Sequence, residues 1–162
     1  MEKWYVIRTK PRKEQVALEN LQRQGYRCYY PRLKQMQRRR GKRQSCIEAL
    51  FPGYLFINLD MESANTGPIR STRGVYGLVI FGSHIRPVAD EIITAIRDRA
   101  NEDDVIDNKQ AEFKAGQQVR IEGGPMEGLE AVFQEKSGKD RAILLLNILG
   151  TERAVEIPVS DL

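Results

Sequence analysis

The chain has 162 residues, 41% of them hydrophobic and 30% charged, with a formal net charge of +4. That composition supplies a core for one ordinary domain or two small ones and excludes a disordered polyelectrolyte. The longest apolar run, residues 142–149 interrupted by Asn147, is far too short to cross a bilayer, and the first residues lack a signal peptide's apolar segment, so a cytoplasmic protein without a membrane partner is expected.

The charge is unevenly spread. Residues 8–43 hold thirteen Lys or Arg against Glu14 and Glu19, a local +11 that leaves the remainder at −7. Such a field attracts polyanions. Cys28 and Cys46 lack the paired spacing of a zinc or redox motif, so both are expected as free thiols. His84 is the only histidine. Its neighbour Ser83 is too close in sequence to act with it as a nucleophile–base pair, and no paired carboxylates or phosphate-cradling loop accompany them. Catalysis, a metal and a cofactor are therefore not expected.

Trp4-Tyr5-Val6-Ile7 predicts a strand, and Lys10-Pro11 the first turn of a helix running from Arg12 to Gln24, with Ala17, Leu18 and Leu21 at helical spacing and Gly25 at its end. The outer side of that helix displays Lys10, Lys13, Asn20, Arg23 and Gln24, a set suited to phosphate or base-edge contacts. Residues 27–31 read as a second strand. Residues 33–48 read as a protruding basic hairpin turning at Arg40-Gly41-Lys42, because too few apolar residues remain there to bury it.

Phe51-Pro52-Gly53-Tyr54-Leu55-Phe56-Ile57-Asn58-Leu59 predicts the central strand of a sheet. Alternation sends Tyr54, Phe56 and Asn58 to one face and Leu55, Ile57 and Leu59 to the other. The aliphatic face requires a core, whereas the aromatic face either covers a helix of its own domain or awaits a partner. Residues 67–74 suggest a short helix or turn and residues 75–82 a further strand. Pro87 and Asp90 open an amphipathic helix with an Ile92, Ile93, Ile96 stripe that ends near Ala100. The acidic stretch from Asn101 onward breaks every periodicity, which predicts a linker over residues 101–112 between a domain at 1–100 and a small module at 113–162.

This order of elements, with Trp4-Tyr5, Phe51-Pro52-Gly53-Tyr54-Leu55-Phe56, Thr72-Arg73-Gly74-Val75, and Gly116-Gln117-Gln118-Val119-Arg120-Ile121 followed by Gly123-Gly124-Pro125-Met126-Glu127-Gly128, resembles the NusG/RfaH family of transcription elongation and antitermination factors. The last segment is similar to the family's KOW motif. Arg40-Gly41-Lys42-Arg43, Glu48, Arg23-Gln24 and Leu144-Leu145-Leu146-Asn147 resemble the specialised RfaH branch more than housekeeping NusG. That branch's His-Thr-Thr-Thr motif, which touches the polymerase β gate loop, is replaced by Asn65-Thr66-Gly67-Pro68, so only Thr66 is retained.

The resemblance implies an α/β N-terminal (NGN) domain, an antiparallel sheet with flanking helices, and a C-terminal KOW module folded as an SH3-like β-barrel. It implies that Phe51, Pro52, Tyr54, Phe56, Ile93 and Ile96 bind the β′ clamp helices of bacterial RNA polymerase, with Thr66 toward the β gate loop. Lys10, Asn20, Arg23, Gln24, Thr72 and Arg73 would face the non-template DNA strand. A monomer that grips both would suppress pausing and termination. The alternatives are a housekeeping factor whose C-terminal domain recruits Rho or a ribosomal protein, and a KOW-type protein that binds RNA or the ribosome.

Gln118–Ile121, 131–133, 142–146 and 154–157 supply the barrel's expected strands. In the RfaH branch the same region forms instead a helical hairpin docked on the N-terminal domain, and the helix propensity of residues 140–149 points that way. Pro125 opposes a long first helix unless the helix begins there. A docked hairpin would bring Glu48 to Arg141 or Lys139.

Overall fold

A computed structural model describes residues 1–107 and 125–151. In chain order the elements are β1 (Lys3–Thr9), α1 (Glu14–Arg23), β2 (Arg27–Tyr29), β3 (Arg32–Arg39), β4 (Lys42–Ala49), β5 (Tyr54–Leu59), α2 (Gly67–Arg70), β6 (Val75–Leu78), β7 (Ile80–Phe81), β8 (His84–Ile85), α3 (Asp90–Arg99), β9 (Val105–Asp107), α4 (Pro125–Gln134) and α5 (Gly138–Thr151).

The main sheet has four antiparallel strands in the order β2-β5-β1-β6. β5 therefore lies inside it, and its alternation divides the core. Leu55, Ile57 and Leu59 pack with Ala17 and Leu21 of α1 and with Ile69 and Val75 on one side. Phe56 packs on the other with Trp4, Tyr29 and the Ile92, Ile93, Ile96 stripe of α3. The strand is shorter than its sequence suggests: Phe51-Pro52-Gly53 forms a turn in which Tyr54 N donates to Phe51 O at 3.0 Å and Gly53 takes φ +87°. Lys10-Pro11 likewise makes a separate turn, closed by Lys13 N donating to Lys10 O, before α1 starts at Glu14.

β3 and β4 form the basic hairpin, joined by Arg40 and Gly41 at φ +54° and +76°. Two successive positive φ values define the hairpin turn whose twist matches the flanking strands. Its base is anchored: β3 pairs in parallel with β9 on its other edge. Residues 105–107 of the expected linker thus form a strand instead. Val105 and Ile106 are buried, and Asp103 O accepts a hydrogen bond from Arg32 Nη2 at 2.8 Å. Two β-branched side chains after an acidic turn form a strand once an unpaired edge is available; residues 108–112 of the expected linker lie outside the described residues.

The C-terminal module also departs from the first expectation. Residues 131–133 and 142–146, two of the expected barrel strands, are helical, in α4 and α5; the other two, and residues 116–124 of the KOW-like motif, lie outside the described residues. α4 begins at Pro125, where proline's missing N–H is harmless. Leu129, Val132 and Phe133 then fall on one face of α4, and Ala142, Leu145, Leu146 and Leu149 on one face of α5. That spacing suits a helix, and both faces pack into the cluster containing Phe56 and the α3 stripe. No helix among the described residues is long and apolar enough to cross a membrane.

Candidate functional site

The first expected surface is assembled by three elements. The turn before β5 contributes Phe51 and Pro52, β5 contributes Tyr54 and Phe56, and α3 contributes Ile93 and Ile96. The rings are organised: Phe51 meets Phe56 edge-on at 5.9 Å, Tyr29 stacks on Phe56 at 6.1 Å, and Trp4 meets Tyr29 edge-on at 6.3 Å. Phe51, Phe56, Ile93 and Ile96 are buried, with Pro52 and Tyr54 half-buried. Their cover is the α4–α5 hairpin, through Leu129, Val132, Phe133, Leu145, Leu146 and Leu149. Thr66 stands apart from this group, preceding α2, whose Ile69 belongs to the opposite core.

Polar contacts fasten both ends of the cover. Arg141 of α5 is fully buried and donates through Nε to Leu50 O (2.8 Å), through Nη1 to Glu135 O (3.1 Å) and Lys136 O (2.9 Å), and through Nη2 to Ala49 O (3.2 Å) and Glu48 Oε1 (3.1 Å). Gln35 Nε2, from β3, donates to the same Glu48 oxygen and to Lys136 O. At the other end Arg99 of α3 pairs with Glu130 of α4, and its guanidinium lies 4.1 Å from the Phe133 ring centroid.

The helices also approach without room for side chains. A Cβ on Gly138 would stand 2.6 Å from Pro52 Cγ, and one on Gly128 would stand 2.6 Å from Ile148 Cγ1. Along the seam between hairpin and sheet a groove of about 860 Å³ opens beside Arg8, Tyr54, Tyr76, Lys139 and Ile143.

The second expected surface lies where α1 meets the segment leading into β6. Lys10 N donates to Gly74 O at 2.8 Å. Gly74 packs so tightly on α1 that a Cβ would meet Ala17 N at 3.1 Å and Lys13 O at 3.2 Å. Gln24 Nε2 donates to Thr72 Oγ1 (2.8 Å) and to Asn20 O (3.1 Å), while the Thr72 hydroxyl donates to Pro68 O (2.8 Å). Lys10, Arg23, Gln24 and Arg73 are exposed around this seam, Asn20 is half-buried, and Thr72 is buried. Thr72 therefore orients Gln24, with little of its own surface free. Among the described residues Arg73 has no ion-pair partner.

His84 sits in β8, paired in register with Phe81, and no cluster of His, Cys, Asp or Glu among the described residues could hold a metal. Sequence reasoning missed Gln35, Arg99, Glu130, Gly128 and Gly138. Their roles depend on which elements dock, and Gln35 alone carried a local sign: it falls on the same alternating face as Leu33, which is buried.

A family profile described as "Transcription termination factor nusG" matches residues 2–97. Relatives named "Transcription termination/antitermination protein NusG" from Staphylococcus aureus strains Mu50 and N315 are each 27% identical over 169 residues, covering 96% of this chain and 91% of theirs. A solved structure titled "Domain interaction in Thermotoga maritima NusG" is 25% identical with a TM-score of 0.39, covering 57% of this chain and 54% of that one.

Proposed function

Because the chain belongs to the NusG family of transcription termination and antitermination factors, we propose that it acts on elongating bacterial RNA polymerase as an antiterminator. Residues 1–107 form the polymerase-binding unit. The face of Phe51, Pro52, Tyr54, Phe56, Ile93 and Ile96 grips the β′ clamp helices, and Lys10, Asn20, Arg23, Gln24 and Arg73 hold the non-template strand, with Thr72 positioning Gln24. Arg73 offers a planar donor fork and a cation for a base face. Binding both clamp and DNA favours the closed, pause-resistant polymerase by differential affinity.

The observation that carries this reading is the nature of the cover. Phe51, Phe56, Ile93 and Ile96 are buried by a pair of helices from the far end of the chain. A groove that accepts α4 and α5 side by side fits another protein's helix pair by the same apolar spacing. The hairpin is thus an intramolecular stand-in for the clamp helices, and its release precedes polymerase binding. This favours a recruited, RfaH-like factor over a housekeeping one, whose polymerase-binding face would be constitutively open.

Transcription with purified bacterial RNA polymerase, on templates with and without a candidate pause element in the exposed strand, tests the proposal. Element-dependent stimulation is expected. Tyr54→Ala should abolish polymerase binding, and Arg73→Ala should spare it while weakening element-dependent recruitment. Equal loss of polymerase binding in both variants would contradict the assignment of two surfaces.

A further inference from the structure

We propose that the groove along the seam between α5 and the sheet is a binding site for a nucleoside diphosphate, and that this ligand holds the helical cover closed. The site goes beyond the function proposed above and rests only on the docked hairpin. Its volume, about 860 Å³, falls within the range of about 300–1,000 Å³ typical of small-molecule sites.

The lining offers an anion everything but the anion itself. Arg8, Arg12 and Lys139 border the groove, all exposed, and none has an ion-pair partner among the described residues. Of the two carboxylates beside them, Glu48 is neutralised by Arg141, and Glu14 accepts a hydrogen bond from Gly53 N at 3.1 Å. Three cations then face Glu14 alone, an excess of two positive charges. Arg12 occupies the third position of the Lys10–Lys13 turn at φ +61°, a conformation that favours glycine. A guanidinium is placed there at a backbone cost, on the rim of the groove. Thr9 also lines the groove; it is buried, and its Oγ1 meets no hydrogen-bond partner among the described residues. A buried hydroxyl without an acceptor is costly, and a phosphate oxygen supplies one.

The rest of the lining suits a flat ring. Tyr30, Tyr54 and Tyr76 present their phenol rings, and the Arg8 guanidinium lies 5.4 Å from the Tyr76 ring centroid. Tyr76 and Ile143 are two of the large apolar side chains left exposed, and both border this groove. A base stacks on such rings whatever its identity, so a diphosphate with either purine fits. The two walls come from different modules: Arg8, Thr9 and Arg12 precede α1, whereas Lys139, Ala142, Ile143 and Leu146 belong to α5. The site therefore exists only while α5 is docked. A ligand that binds the closed form alone stabilises that form and opposes uncovering.

The test is isothermal titration of the full chain with ADP and GDP, followed by hydrogen exchange of the saturated protein. Both nucleotides should bind with similar affinity, and pyrophosphate or adenosine alone more weakly than either. Lys139→Gln should weaken ADP binding about tenfold and Thr9→Val about fivefold. Without ligand Thr9→Val should unfold at no lower temperature, since it removes a hydroxyl that has no partner, and this controls for folding. Lys34→Gln, an exposed cation on β3 outside the groove, should bind ADP as the unsubstituted chain does. At a ligand concentration about a hundred times the Kd, exchange of α5 amides should slow by up to about a hundredfold. The proposal is overturned by no saturable binding up to about 1 mM ADP, by pyrophosphate binding as tightly as ADP, by unchanged affinity in Lys139→Gln or Thr9→Val, by an equal loss in Lys34→Gln, or by binding that leaves α5 exchange unaltered. It is also overturned if a single-stranded DNA of about nine nucleotides binds more tightly than ADP with the same dependence on Lys139, which would make the groove part of a nucleic-acid track. No polymerase is present, so this result and that of the transcription assay can fail separately.

Discussion

Among the described residues Arg141 is the largest fully buried side chain, and each of its five N–H donors has an acceptor. Residue types alone suggest a lone surface pair with Glu48, worth under about 1 kcal/mol. Full burial changes the scale. Truncating Arg141→Ala leaves Glu48 with Gln35 alone and strips the Arg141 hydrogen bonds from the carbonyls of Ala49, Leu50 and Glu135, which costs about 2–3 kcal/mol. Chemical denaturation should show α5 losing protection at lower denaturant while β1 and β5 keep theirs; simultaneous loss in all three would contradict a separable cover. Cys28 gives a prediction of a different kind. Burial pushes its thiol from 9.0 up to about 12. The unfolded chain therefore releases this proton first, so the stabilisation is complete below about pH 9 and is lost as pH rises toward about 12. Cys28→Val should flatten the alkaline fall in stability, and an unchanged alkaline limb would refute the buried-thiol account.

Glycine contacts set the fit between elements. The hypothetical Cβ of Gly138 would press on the rigid Pro52 ring, so Gly138→Ala should lift α5 from the sheet, destabilising the docked hairpin by roughly 1–3 kcal/mol. Hydrogen exchange should then accelerate in α4 and α5 and not in β1 or β5; unchanged protection would show that the seam yields freely. The same level explains what was legible beforehand. The two faces of β5, the helix ending at Gly25 and the turn at Arg40-Gly41 follow from alternation, spacing and backbone sterics within a few residues. β9 did not, and the α4–α5 pair stood only as the alternative to a barrel, because the form of each depends on a distant partner. Val105-Ile106 needs the free edge of β3, and residues 131–133 and 142–146 are apolar enough to read as strands until an apolar groove selects the helical spacing. Of the candidate site, the family resemblance supplied the residues proposed for both surfaces, and the structure adds how they are covered and hydrogen-bonded. The locking groups Gln35, Arg99 and Gly138 could not be named beforehand, since each acts across a long sequence separation.

At the scale of the whole molecule, the chain separates an apolar groove, closed by its own C-terminal helices, from cationic surfaces that remain open. A protein that binds its partner only when uncovered has its apparent affinity reduced by the fraction uncovered. Loosening the cover should therefore tighten binding, by tenfold for each 1.4 kcal/mol removed. The decisive measurement is the affinity of the full chain for purified bacterial RNA polymerase, compared among the unsubstituted protein, Arg141→Ala, and Arg141→Ala combined with Tyr54→Ala. The account predicts that Arg141→Ala binds about ten- to a hundredfold more tightly and that adding Tyr54→Ala removes the binding. Equal affinity in the first two, or undiminished binding in the third, would contradict a polymerase-binding face held under a displaceable helical cover.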